Sequence, residues 1–166
     1  MRGYRVLAID FRGSGSSGQS SAHAALSFDR DVVAGVKLLK REGARRVVLA
    51  GGSLGGAAVL VAAAAIDPRV DGVVSVSAPA TVPAGFGPNA LAAVGKLRVP
   101  ALFVTGKLDP IVPLSDARRL YRAAGSGDKR LVILPGGSHG SALLLDSDGA
   151  RARSILDSFI DAHTRG

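Results

Sequence analysis

A serine hydroxyl becomes a useful nucleophile when an imidazole takes its proton, and the imidazole works best when a carboxylate fixes its tautomer. One serine in this chain is set for that role. It lies in Val47-Val48-Leu49-Ala50-Gly51-Gly52-Ser53-Leu54-Gly55-Gly56-Ala57-Ala58. The apolar residues before it read as a buried strand, and the alanine-rich run after it reads as a helix. A serine between strand and helix needs a tight turn, with very small neighbours two residues to either side, and Gly51 and Gly55 meet that requirement. Ser53 is therefore the candidate nucleophile. The backbone N–H of Leu54, opening the helix, would face a developing oxyanion.

The partners are sought among three histidines and a few aspartates. His139 follows the apolar run Leu131–Leu134 in a Gly-rich loop, whereas His23 lies in a polar loop and His163 near the C-terminus. Asp109 follows the apolar run Ala101–Val104. Asp128 and Asp146 follow no strand in that manner. The order is nucleophile, acid, histidine, each on a loop leaving the C-terminal end of a strand, where open parallel sheets carry their functional groups.

The elements that must position these residues alternate along the chain. Tyr4–Ile9 reads as a first strand, ending at Asp10. Residues 11–25 are rich in glycine and serine and read as a loop. A helix is expected from Phe28, with Ser27 as N-cap and Asp29 and Asp31 in its first turn, until Gly43 stops it. Strand Val47–Ala50 leads to Ser53, and a helix over 54–66 ends at Asp67-Pro68. Strands are then expected at Val70–Val76, Ala101–Val104 and Lys129–Leu134, with helices over 90–96, over 114–124 (capped at Ser115) and at the C-terminus. Strands separated by helices of this length predict an α/β domain, a mostly parallel sheet covered by helices on both faces.

Composition excludes several alternatives. At 166 residues and 47% hydrophobic, with no linker or repeat, the chain reads as one domain with a sizeable core. It has no cysteine, hence no disulfide and no thiolate chemistry. No run is apolar enough for a membrane span, and the N-terminus enters a strand at once, so a cytoplasmic location is expected. The formal charge of +8 is spread over most elements without a dense run or interleaved aromatics, which argues against nucleic-acid binding. Gly13-x-Gly15-x-x-Gly18 fits a dinucleotide fingerprint, but that motif opens a helix and is followed by an acid-ended strand. Here the helix from Phe28 occupies that distance.

Four stretches together resemble the α/β-hydrolase fold, in its esterase and dienelactone-hydrolase-like branch, across essentially the whole chain. Gly3 to Ser17 is similar to that family's fourth strand and its D-x-R-G-x-G-x-S loop, and Gly51 to Gly56 to its nucleophile elbow. Val99 to Pro113 resembles the strand and loop bearing the acid, and Pro135 to Gly140 the histidine loop. The resemblance implies a serine hydrolase. Ser53 attacks an ester, thioester or small amide, His139 shuttles the proton, Asp109 orients His139, and no cofactor or metal takes part. The short stretch from Ala78 to Lys96, where many relatives insert a cap, implies an open site for a small acyl substrate.

The family sheet has strand order 1-2-4-3-5-6-7-8, and this chain begins at the fourth strand. The segment Tyr4–Ile9 is then expected either to pair directly with Val47–Ala50 or to leave an uncovered edge open to self-association. The loop after the third strand, which supplies the second oxyanion N–H in the family, is then expected to be missing as well. The alternative function is accordingly a catalytically impaired fragment, or a non-catalytic interaction module that retains the triad residues.

Overall fold

The computed structural model describes residues 3–18, 27–83 and 87–164. Four strands, β1 (Val48–Gly52), β2 (Gly72–Val76), β3 (Ala101–Gly106) and β4 (Lys129–Leu134), form one sheet in the order β1-β2-β3-β4 with every pairing parallel. The helices between and after them are α1 (Phe28–Arg41), α2 (Leu54–Ala65), α3 (Ala90–Val94), α4 (Leu114–Ala123) and α5 (Gly149–Thr164). A 3-10 turn, Gly140–Leu144, follows β4. Register places Val73 beside Ala101, and Val104 beside both Val76 and Val132.

Alternation along the strands explains the two-sided core. Leu49, Val73, Ala101 and Phe103 face α1 to α4, while Val74, Val76, Leu102, Val104, Val132 and Leu134 face α5 and the 3-10 turn. Strands buried on both faces must be apolar at consecutive positions, and every residue of β2 and β3 is buried. Helix α2 packs on β1 and β2 as well as on α1 and α3, so its run of alanine, valine and leucine meets apolar neighbours on several sides.

The expected first strand is not one. Among the described residues Tyr4–Ile9 has no ladder, and β1 is the sheet edge. A lone strand gains nothing from its pleat without a neighbour's hydrogen bonds. Its path is nevertheless fixed by side chains. The Arg5 guanidinium donates to the carbonyl and carboxylate of Glu42 beyond the end of α1, and the Tyr4 hydroxyl donates to Asp161 on α5. Leu7 and Ile9 lie against Gly35, and Phe11 stacks on Phe28 at the start of α1. Residue 5 thus meets the C-terminal end of α1 and residue 11 its N-terminal end, so the segment runs parallel to β1. It stands off from that edge across a cavity of about 880 Å³.

Smaller expectations also shift. Helix α1 starts at Phe28 as read, but the Ser27 side chain makes no capping bond. The N-cap of α4 is Pro113, one residue before the helix, with Ser115 already inside it. β2 begins at Gly72 because Asp71 instead turns its carboxylate to accept the N–H of Val47.

Candidate active site

Ser53 sits between β1 and α2 with φ 54° and ψ −126°, a backbone conformation that residues with a side chain rarely adopt. Such conformations cost on the order of 1–3 kcal/mol and persist only where the surroundings fix them. Here the Ser53 N–H donates to the carbonyl of Val76 at the end of β2 (2.9 Å), and its own carbonyl accepts from Ala57 (3.1 Å). A Cβ on Gly51 would lie 2.3 Å from the carbonyl oxygen of Gly55, which accounts for glycine two residues before Ser53. At Gly55 the expectation of a small residue is not matched by crowding, since a Cβ there would meet only the Phe11 ring at 3.7 Å. The second crowded position is Gly56, whose Cβ would lie 3.0 Å from that of Ala78. Leu54 is the first residue of α2, so its N–H has no carbonyl within the helix to bond.

Asp109 and His139 are brought together. The imidazole Nδ1 lies 2.9 Å from Oδ2 and 3.0 Å from Oδ1 of Asp109, whose side chain is wholly buried. Burial pushes the Asp109 carboxyl up. The N–H groups of Val112 and Ile111, with His139 and the Ser77 hydroxyl beside it, outweigh that effect and hold it below the ordinary carboxylate value. An ionised acceptor against Nδ1 leaves the other ring nitrogen available for proton exchange.

The loops carrying these residues are laced to one another. Lys107 N–H donates to Leu134 and Leu108 N–H to Gly136, while Asp148 accepts from Gly136 at 2.8 Å. A Cβ on Gly106 would lie 2.8 Å from the Gly136 carbonyl, so the two loops approach as backbone on backbone. The histidine loop reaches the serine as well. Gly140, at φ 57°, would place a Cβ 3.9 Å from that of Ser53, and one on Gly52 would meet the Ser141 N–H at 3.3 Å.

The rival residues fall elsewhere. Asp128 precedes β4, at the opposite end of that strand from His139, with an exposed side chain 3.7 Å from His163 on α5. Asp146 accepts from the Asp148 N–H in its own turn. His23 lies outside the described residues. Asp10 accepts from Ser16 and closes on Gly15, whose Cβ would collide with its carboxylate. Arg12 forks onto Asp31, so these residues build a loop. No helix opens on Gly13–Gly18, as a dinucleotide site would require.

Sequence reading missed Ser77, which follows β2. It is wholly buried, holds φ 49°, and its hydroxyl reaches no partner at full hydrogen-bonding geometry. An isolated serine in a Pro/Gly-bearing stretch gives no signal of that kind.

The arrangement has relatives. The family model of the alpha/beta hydrolase fold matches residues 2–92, and that of serine aminopeptidase S33 matches residues 84–148. The chain belongs to the α/β-hydrolase fold family. It is 29% identical over 163 residues to an uncharacterized membrane protein of Saccharomyces cerevisiae, covering 87% of this chain and 57% of the relative. It is 27% identical over 177 residues to the uncharacterized protein YfhR of Escherichia coli, covering 96% and 61%. The chain therefore spans about three-fifths of the length of these curated relatives.

Among solved structures, the Pyrococcus furiosus esterase Pf2001 superposes with a TM-score of 0.78 at 21% identity, covering 98% of this chain and 72% of the esterase. The esterase domain of a Rhodothermus marinus protein gives 0.68 at 27% identity, covering 82% and 69%. In this α/β-hydrolase chain no helix among the described residues is long and apolar enough to cross a membrane.

Proposed function

We propose that the chain carries the catalytic centre of a serine hydrolase acting on a carboxylic ester, thioester or small amide. In this reading the Ser53 hydroxyl attacks the acyl carbon while His139 takes its proton, and Asp109 holds the imidazole and stabilises its charged form. His139 then gives that proton to the departing alcohol, thiol or amine, leaving an acyl-serine. Water, deprotonated by His139, attacks the acyl-serine, and His139 returns that proton to the Ser53 oxygen as the acid is released. The N–H of Leu54 faces the oxyanion in both halves. Among its described residues, Ala78 to Lys96 holds one five-residue helix, which favours a small substrate in an open site.

The observation that carries this reading is the 2.9 Å contact between His139 and buried Asp109, on a loop that packs against strained Ser53. The test is labelling by a fluorophosphonate probe, with hydrolysis of p-nitrophenyl esters as second readout. Labelling that disappears in Ser53→Ala is expected; a folded chain that is neither labelled nor active removes the enzymatic reading.

A second reading, a non-catalytic interaction module that retains the triad residues, is favoured by the edge of β1 next to Ser53, which has no strand partner among the described residues. A folded but inert chain would support it.

A further inference from the structure

β2 stands between the strand that leads to Ser53 and the strand that leads to Asp109, and Ser77 follows its last residue. Backbone bonds tie that end to both neighbours. The Ser53 N–H donates to the carbonyl of Val76, and the Ser77 N–H donates to the carbonyl of Val104 at 2.8 Å. Further on, the Ala80 N–H donates to the carboxylate of Asp116, in the first turn of α4, at 2.9 Å. Val104 precedes Asp109 in the chain and Asp116 follows it. The stretch from Ser77 to Ala80 is thus clamped across the acid loop on both sides of its carboxylate.

Ser77 is a poor choice for packing alone. It holds φ 49°, where a side chain is strained, and its hydroxyl is sealed from solvent with no partner at full hydrogen-bonding geometry. Glycine would relieve the backbone, and alanine would bury no hydroxyl. Both penalties have a reason if the hydroxyl is used.

The group beside it is Asp109, whose side chain is wholly buried. Its Oδ1 accepts the N–H groups of Ile111 at 2.9 Å and Val112 at 3.0 Å, and lies 3.0 Å from Nδ1 of His139. Among the described residues, Oδ2 meets at full geometry only that same imidazole, at 2.9 Å. An ionised carboxylate offers about four acceptor sites, and a buried one needs them satisfied. A carboxylate short of a donor therefore stands beside a hydroxyl short of an acceptor. Burial pushes the Asp109 carboxyl up, and the Ser77 hydroxyl is among the groups that hold it below its ordinary value.

We propose that Ser77 is a positioning residue of this centre: its hydroxyl donates to the Asp109 carboxylate and fixes the edge that the carboxylate turns to His139. The role rests on the serine-hydrolase reading and acts through Asp109. The hydroxyl hydrogen rotates about the Cβ–Oγ bond, so donation requires no movement of the backbone. Held in this way, Asp109 stays ionised and aligned with Nδ1 while His139 carries the proton of Ser53. Bonds of this kind are often long in a free enzyme and tighten when substrate is bound.

The test is a double-mutant cycle on the whole chain, with Ser77→Ala and Asp109→Asn made singly and together. Fluorophosphonate labelling reads the role in reactivity, and the urea midpoint at neutral pH reads the hydrogen bond. Ser77→Ala should slow labelling of the parent chain by about fivefold or more. In Asp109→Asn, where the carboxylate it serves is gone, the same change should slow labelling by less than about twofold. Its loss in urea midpoint should also shrink there, because a charged acceptor makes the stronger bond. Ser77→Gly, which relieves the backbone, should slow labelling as Ser77→Ala does in a chain at least as stable. The proposal is overturned if either Ser77 variant is labelled at the parent rate. It is equally overturned if the factor or the midpoint loss is the same in both backgrounds, as a serine with a merely structural role would give. Labelling of the parent without coupling removes the role of Ser77 and leaves the serine-hydrolase reading. A parent chain that is never labelled removes that reading, and Ser77's role with it, even where the midpoints couple.

Discussion

A Cβ built on Gly51 would lie 2.3 Å from the carbonyl oxygen of Gly55, closer than any real contact of that kind. The end of β1 and the first turn of α2 touch backbone to backbone, and that contact bends the chain sharply enough to lift Ser53. Gly51→Ala must push the helix start away, at the roughly 1–3 kcal/mol typical of overpacking. Gly55→Ala adds a methyl group in ordinary contact with Phe11 and replaces a helical glycine, worth about 0.5–1 kcal/mol in its favour. Urea unfolding of the two variants should give shifts of opposite sign.

The contact of His139 with Asp109 predicts a second separation of effects. Asp109→Asn keeps the size of the side chain but can donate to Nδ1, which favours the wrong imidazole tautomer. In serine proteases the corresponding change lowers turnover by about 10⁴. Fluorophosphonate labelling of Asp109→Asn and of His139→Ala should slow by at least about 100-fold, with the circular dichroism of the folded chain retained. Labelling at the parent rate in either variant would show that Ser53 reacts without them.

Much of this was legible from sequence because it depends on local pattern. The apolar runs of β2 and β3 are continuous since both faces are covered, and the glycine-flanked serine announced its turn. Asp109 and His139 could be named because parallel strands send their following loops to one edge. What stayed hidden depends on partners that a linear pattern does not show. Val6, Leu7 and Ile9 have apolar side chains that read as a strand, yet a strand exists only with a neighbour, and none among the described residues is bonded to this one. The freedom at Gly55 against the crowding at Gly51 and Gly56 depends on where Phe11 and Ala78 arrive from elsewhere in the chain. Ser77 acquired its importance from burial beside Asp109, not from its type.

Two carboxylates make stability depend on acid in a defined direction. The Arg12 guanidinium holds Asp31 below its usual value, and the N–H groups of Val112 and Ile111 do the same for Asp109 against its burial. A carboxyl depressed in the folded state contributes stability that is complete above its unfolded value of about 3.9, and loses it as the pH falls through the folded value. The urea midpoint should therefore be flat from neutrality to about pH 5 and fall steeply below about pH 4. In Asp109→Asn the fall should be shallower, since that carboxylate no longer has to take up a proton. An unchanged slope would mean that Asp109 is not held down in the folded chain.

The strain at Ser53 gives the sharpest discrimination between a nucleophile and a small residue in a turn. With φ 54° and ψ −126°, the serine occupies a conformation that glycine adopts freely. Ser53→Gly should recover the roughly 1–3 kcal/mol of strain, less the roughly 0.5–1 kcal/mol that glycine loses through the freedom of the unfolded chain. Ser53→Ala removes the same hydroxyl but keeps a Cβ in the strained position, so it should gain nothing comparable. Both variants should be unreactive toward the fluorophosphonate probe, with Ser53→Gly having the higher thermal midpoint. That result would mean the chain keeps a residue that destabilises its own fold, for which reactivity of the hydroxyl is the physical reason. If Ser53→Gly is instead no more stable than Ser53→Ala, the backbone at this turn stores no strain, and the argument for Ser53 rests on the neighbouring His139 loop alone.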